Sequence, residues 1–215
     1  MVKYFIALEP EKRVYDEILK QKRIIGDLND SQAYLSHPPH TTLMPLNLGN
    51  HNNPNNHDEK IIINKLGLFA AQTNKIASEI SGLHVFYDDA AAGGGHTIVY
   101  NFSDESANAL RKMQLLIINL LSMGDEMKFF SADSPVFAKL GGLEKQNILK
   151  YGFPYIGSNW IPHLTLASID KEGFDEIYSI VSKQNLKGEF AFDSIVLYKE
   201  AGEPEVVKKF ALKNA

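Results

Sequence analysis

Two histidines stand in one local grammar, Pro39-His40-Thr41-Thr42-Leu43 and Pro162-His163-Leu164-Thr165-Leu166, each reading P-H-x-T-L. With seven histidines in the chain, ordinary composition yields roughly 0.6 pairs of His-x-Ser/Thr by chance, so one pair carries no information. A second that repeats the preceding Pro, the choice of Thr and the following Leu is much harder to obtain at random. On a strand, residues i and i+2 face the same way. His40 with Thr42, and His163 with Thr165, would therefore each present an imidazole and a hydroxyl to one surface, while Leu43, Leu164 and Leu166 point into the packed side. Two such strands across a cleft suit phosphoryl chemistry. One neutral His removes a proton from the attacking oxygen, one protonated His delivers a proton to the leaving oxygen, and the Thr hydroxyls hold the non-bridging oxygens.

The remaining candidates are weaker. The chain has no cysteine, which removes disulfides, thiolate zinc sites and a cysteine nucleophile. His37 forms H-P-P-H with His40, but no third ligand cluster accompanies the pair, so no metal and no cofactor are expected. His51 and His57 lie in an Asn-rich stretch and read as solvated; His84 and His96 read as structural. Gly93-Gly94-Gly95 precedes a strand rather than a helix N-terminus, which makes it a hairpin tip rather than a phosphate cradle. Tyr151 and Tyr155 are candidates for stacking on a substrate base, with core packing as the alternative.

At 215 residues with 44% hydrophobic and 22% charged residues, the chain is an ordinary folded protein of one large or two small domains. The net charge is −4, and Arg13, Arg23 and Arg111 are the only arginines, which argues against a long duplex held by phosphate contacts. A small nucleotide or an RNA end remains open as partner. The apolar opening of the chain is far shorter than a secretory core segment and is followed by Glu9-Pro10-Glu11. The longest apolar run, Leu115 to Leu121, falls short of the ~20 residues of a membrane span. A cytoplasmic monomer without membrane attachment is the expectation.

The elements that must position the motifs follow from periodicity. Lys3 to Leu8 reads as a buried strand, then Val14, Ile18 and Leu19 share a helical face with Pro10 in its first turn. His40 to Leu48 is a strand whose Pro45 puts it near a sheet edge. A polar loop from Gly49 leads to Asp58 as a helix N-cap, and the 3-and-4 spacing then runs from Ile62 to Ile80. Gly82 to Tyr87 and His96 to Phe102 form a hairpin. Ser103 or Asp104 caps a helix that Gly124 ends. Residues 124 to 159 lack clear periodicity apart from a short helix around Leu143 to Leu149. Trp160 to Ser168 is a strand, Phe174 to Val181 a helix and Glu189 to Tyr198 a strand; Glu205 to Leu212 is strand or helix. The class is mixed α+β, and the twofold recurrence of strand, helix, His-bearing strand, helix hints at two similar lobes.

With these residues in view, the chain resembles the 2H phosphoesterase superfamily, its LigT-like group of 2′-5′ RNA ligases and cyclic phosphodiesterases. The resemblance rests on Tyr4-Phe5-Ile6-Ala7-Leu8, on the two motifs, and on the closing Phe190 to Tyr198. It implies a single bilobal α+β domain over 1–215, two antiparallel sheets flanking a central cleft with helices outside. It also implies metal-independent cleavage or formation of 2′,3′-cyclic or 2′-linked phosphodiesters, with His40, Thr42, His163 and Thr165 as the catalytic set. Two departures stand out: the interval between the motifs is long, which marks 124–159 as an insertion and a prospective lid, and Ala167-Ser168 occupies the place where many relatives carry an Arg. The alternative from another class is a catalytically silent nucleotide- or RNA-binding module that keeps the cleft.

Overall fold

The structure, a computed structural model, describes residues 2–48, 57–121, 124, 127–184 and 186–214; the polar stretch holding His51 lies outside these. Among the described residues, seven strands are interleaved with five α-helices in the order β1 (Val2–Pro10), α1 (Lys12–Leu28), β2 (Thr41–Leu48), α2 (His57–Ala70), β3 (Ile76–Asp89), β4 (Gly95–Phe102), α3 (Asp104–Leu121), α4 (Gly142–Tyr151), β5 (His163–Ile169), α5 (Phe174–Val181), β6 (Gly188–Ala201) and β7 (Glu203–Ala211). All strand pairs are antiparallel.

The strands follow one hydrogen-bonded path, β2-β1-β6-β3-β4-β5, with β7 also on β6. The expected two sheets are its two halves, β7-β6-β1-β2 and β6-β3-β4-β5, and β6 belongs to both. Its residues 188–192 pair with β3 and residues 194–201 with β7, while β1 lies along its other edge. Fourteen residues in one strand allow this double membership.

One face of the sheet carries the main core. Tyr4, Ile6 and Leu8 from β1, Ile98 and Tyr100 from β4, Leu164 and Leu166 from β5, and Ile195 and Leu197 from β6 are buried together. The helices cover them with their apolar stripes: Val14, Ile18 and Ile25 of α1, Ile62 and Leu66 of α2, Leu110, Ile117 and Leu121 of α3, and Phe174, Ile177 and Val181 of α5. These spacings of three, four and seven are what a 3.6-residue repeat requires. The opposite face carries a separate small cluster, Phe5, Ala7, Val196 and Tyr198.

Several boundaries differ from the periodicity reading. Pro10 closes β1 rather than opening α1. Asp58 lies inside the first turn of α2, and α2 ends at Ala70; Ile76 and Ile80, which continued the helical spacing, belong to β3. Burial alternates along the start of β3, because its first residues pair with β6. α3 is described as far as Leu121, and the two residues between it and Gly124 lie outside the described ones. The closing segment is a strand. Among the described residues, no helix is long and apolar enough to cross a membrane.

Candidate active site

β2 and β5 are the two ends of the strand path, yet they meet. Thr41 Oγ1 donates to the backbone carbonyl of His163 at 2.9 Å, so the sheet curls until its motif-bearing ends touch. His40 immediately precedes β2 and His163 opens β5.

The two motifs repeat each other in three details. Nδ1 of His40 lies 2.7 Å from the carbonyl of Pro38, and Nδ1 of His163 lies 2.8 Å from the carbonyl of Ile161. A carbonyl only accepts, so each Nδ1 carries the proton and each Nε2 is left with its lone pair. Both strands then bulge directly after the Thr. Thr42 pairs with Ala7 but Met44 with Ile6, leaving Leu43 over; Thr165 pairs with Val99 but Ala167 with Ile98, leaving Leu166 over. Finally, Leu43 and Leu166 are both fully buried in the main core.

Directly paired residues share a face, so the register names the cleft surface. Thr42 stands beside Ala7, which pairs with Val196, and this row belongs to the small cluster opposite the main core. His40 leans on that cluster, its ring 5.1 Å from Phe5 and 5.7 Å from Tyr198. The Tyr198 hydroxyl donates to buried Glu9, which also receives Lys209. On the other half, His163, Thr165 and Ser168 stand opposite Asn101, Val99 and Thr97 of β4. His163 packs edge-on to Phe86 at 5.1 Å, and Phe86 to His84. Among the described residues, the buried Ser168 Oγ and Asn101 Oδ1 have no hydrogen-bond partner.

The two imidazoles differ electrically. Burial holds His40 far below its ordinary value, at about 3; the Pro38 carbonyl works against this, and Lys22, His37 and His163 add to it. Burial also lowers His163, but the Ile161 carbonyl and the carboxylate of Asp89 pull it back, with His84 opposing. His40 thus faces the Lys22 ammonium and two further imidazoles, and His163 faces the Asp89 carboxylate. The cation nearest in kind is Lys22 of α1, itself buried and lowered to about 7 by desolvation. Its Nζ donates to the carbonyl of Tyr34 at 2.5 Å, the turn from which His37 and then His40 follow.

The two tyrosines named as stacking candidates pack on α3, α4 and the segment before β5. Tyr151 packs beside Met44, Ile118 and Ile156, and Tyr155 is 46% exposed with its ring against Phe153. The segment containing them runs along the outer edge of β2. Buried Gln114 of α3 donates to both the Leu43 and the Tyr155 carbonyls, and Asn47 donates to the Lys128 carbonyl. Described residues of 124–159 thus pack against β2, an edge strand. Phe5, Tyr198, Phe86, Ser168, Asn101 and Asp89 were not legible as site residues, since their partnership depends on register. Among the described residues, no three His, Asp or Glu side chains gather as a metal-ligand group.

No protein-family profile matches the sequence, and no curated protein matches it at a significant level. Solved structures do. TT0787 of Thermus thermophilus superposes with a TM-score of 0.54 at 14% identity, covering 99% of this chain and 98% of that one. E. coli LigT complexed with 3′-AMP gives 0.54 at 11%, covering 99% of both chains. A crystal structure described as a phosphoesterase gives 0.51 at 12% over the full length of both. At such identities the likeness establishes a shared fold.

Proposed function

From a chain with the LigT-like fold of the 2H phosphoesterases, we propose a metal-independent phosphodiesterase acting on cyclic or 2′-linked phosphodiesters of nucleotides or RNA ends. The observation that carries the reading is the matched pair of histidines. Each is held through Nδ1 by the carbonyl two residues earlier, and they stand at strand ends joined by the Thr41 bond. The solved LigT structure holding 3′-AMP supports a nucleotide phosphate as ligand.

Electrostatics divide the roles. His40, held neutral by burial, takes the proton of the attacking water; His163, beside Asp89, is the donor to the leaving 2′- or 3′-oxygen. In hydrolysis the water oxygen bonds to phosphorus, the bond to the ribose oxygen breaks, and that oxygen leaves with the proton of His163. Thr42 and Thr165 bind the non-bridging oxygens through their hydroxyls. Ser168 and Asn101 border the same surface.

Nucleoside 2′,3′-cyclic phosphates and 2′-5′-linked dinucleotides, offered with and without EDTA, test this. Turnover that survives EDTA is the expected result. Activity lost to chelation and restored by one metal overturns the metal-independent reading, and binding without turnover returns the silent-module alternative.

A further inference from the structure

The end of the β3–β4 hairpin is irregular in a way that places a carboxylate. Phe86 pairs with Thr97 and Asp89 with Gly95, so β3 contains one residue more than β4 over this stretch. Asp88 has φ +52°, a left-handed conformation that non-glycine residues seldom adopt. Bulges of this kind re-aim side chains beside functional sites. Asp88 turns toward Lys171, while Asp89 accepts from Thr97 Oγ1 at 2.7 Å. Thr97 pairs with Ser168, in the row that His163 and Thr165 begin. Gly95 lets the hairpin end close down on β5: a Cβ there would lie 2.8 Å from the Ile169 carbonyl and 2.9 Å from Ser168 Oγ.

The titratable groups facing His163 are Asp89 and His84 from β3 and His40 from beside β2. On the far side, His40 has His37 and Lys22 of α1 as its own neighbours. Of these groups, the carboxylate stands on the His163 side, while Glu9, which takes Lys209, lies behind Tyr198 on the His40 side.

We propose that Asp89 is a positioning and selecting residue, whose carboxylate stabilises the imidazolium of His163 and disfavours dianionic monoesters over monoanionic diesters. The selecting half rests on the phosphodiesterase reading, whereas the effect on His163 is a property of the free protein. Hydrolysis of a diester gives a monoester whose second ionisation falls at about pH 6. The product therefore gains negative charge at neutral pH, and a fixed carboxylate promotes its departure.

The experiment is an NMR titration of His163 in the full-length protein, with calorimetric binding of a nucleoside 3′-monophosphate at about pH 7.5, above that second ionisation. Asp89→Asn keeps an acceptor for Thr97 and removes the charge. The His163 midpoint should fall by about half a pH unit, and the monophosphate should bind about 3- to 10-fold tighter, an effect that salt reduces. Thr97→Val, which keeps the charge but releases its tether, should move the midpoint the same way by less, and Asp89→Glu should restore it in part. A His163 midpoint unchanged in a folded Asp89→Asn protein overturns the positioning role, whether or not diesters are cleaved. Unchanged monophosphate binding overturns the selecting role. A shifted midpoint in a protein that cleaves no diester supports the Asp89 assignment and counts against the proposed function alone.

Discussion

The hydroxyl of Thr41 donates to the backbone carbonyl of His163 at 2.9 Å, so the residue after one histidine grips the peptide of the other. Thr41 is fully buried. Thr41→Val preserves shape and deletes the donor. Loss of this hydrogen bond should cost about 1 kcal/mol, which thermal denaturation will register. Because the bond joins the two ends of the strand path, kcat/KM should fall about 10-fold or more as the imidazoles lose their mutual placement. A destabilised protein with full turnover would show that the bond serves the fold only.

His40→Ala and His163→Ala should each lower turnover by about 10² to 10⁴, the usual worth of a positioned proton acceptor or donor, while binding suffers less. Both roles belong to one proton-transfer cycle, so the double variant should lose less than the product of the single losses. Thr42→Ala and Thr165→Ala should be milder, removing a hydrogen bond to phosphate and leaving the proton path. Steady-state kinetics on a cyclic phosphate decide this, and near-normal turnover by folded His163→Ala would sink the mechanism.

His40 also predicts the acid limb of stability. Its folded value is depressed to about 3 from an unfolded value of about 6.5. The unfolded chain therefore binds one proton more between these pH values, so stability rises with pH across the window and is fully present above it. His40→Phe should remove up to about one proton from the slope of unfolding free energy against pH, over roughly pH 4 to 6. Urea denaturation across that range measures it, and an unchanged slope would show that His40 is not held neutral. The activity profile should be bell-shaped, with its alkaline limb from His163 below the ordinary imidazole value, since burial dominates there.

Much of this site was legible in sequence, for a definite physical reason. The P-H-x-T-L grammar encodes strictly local relations: the carbonyl at i−2 that holds Nδ1, the shared face of i and i+2, and the Leu at which each strand bulges into the core. Such relations survive in a linear pattern. Asp89, Phe5, Tyr198 and Ser168 were not legible because each reaches the site through a bulge or a pairing register, and neither is written in spacing. The helical reading through Ile80 failed similarly. Ile76 and Ile80 keep a four-residue spacing that also fits an alternating strand, and pairing with β6 decided between them.

Lys22 yields the last prediction. It is 3% exposed, its Nζ donates to the Tyr34 carbonyl, and burial lowers it to about 7 from an unfolded value of about 10.4. The folded pKa lies below the unfolded one, so between them the unfolded chain holds a proton that the folded chain has released. Stability should then increase as pH rises from roughly 7 toward 10, with a slope approaching about 1.4 kcal/mol per pH unit, the value for one proton. Lys22→Met fills the same space without a titrating group, and this rise should disappear in it. The substitution also takes one donor from the Tyr34 carbonyl, which accepts the His37 N–H as well, in a residue held at φ +68° just before His37 and His40. Lys22→Met should therefore lower kcat/KM even where it is the more stable protein. Chemical denaturation at about pH 7, 8 and 9, spanning the window that the shift defines, separates the two effects when paired with kinetics at the same values. A slope that persists in Lys22→Met would assign the titration to another group.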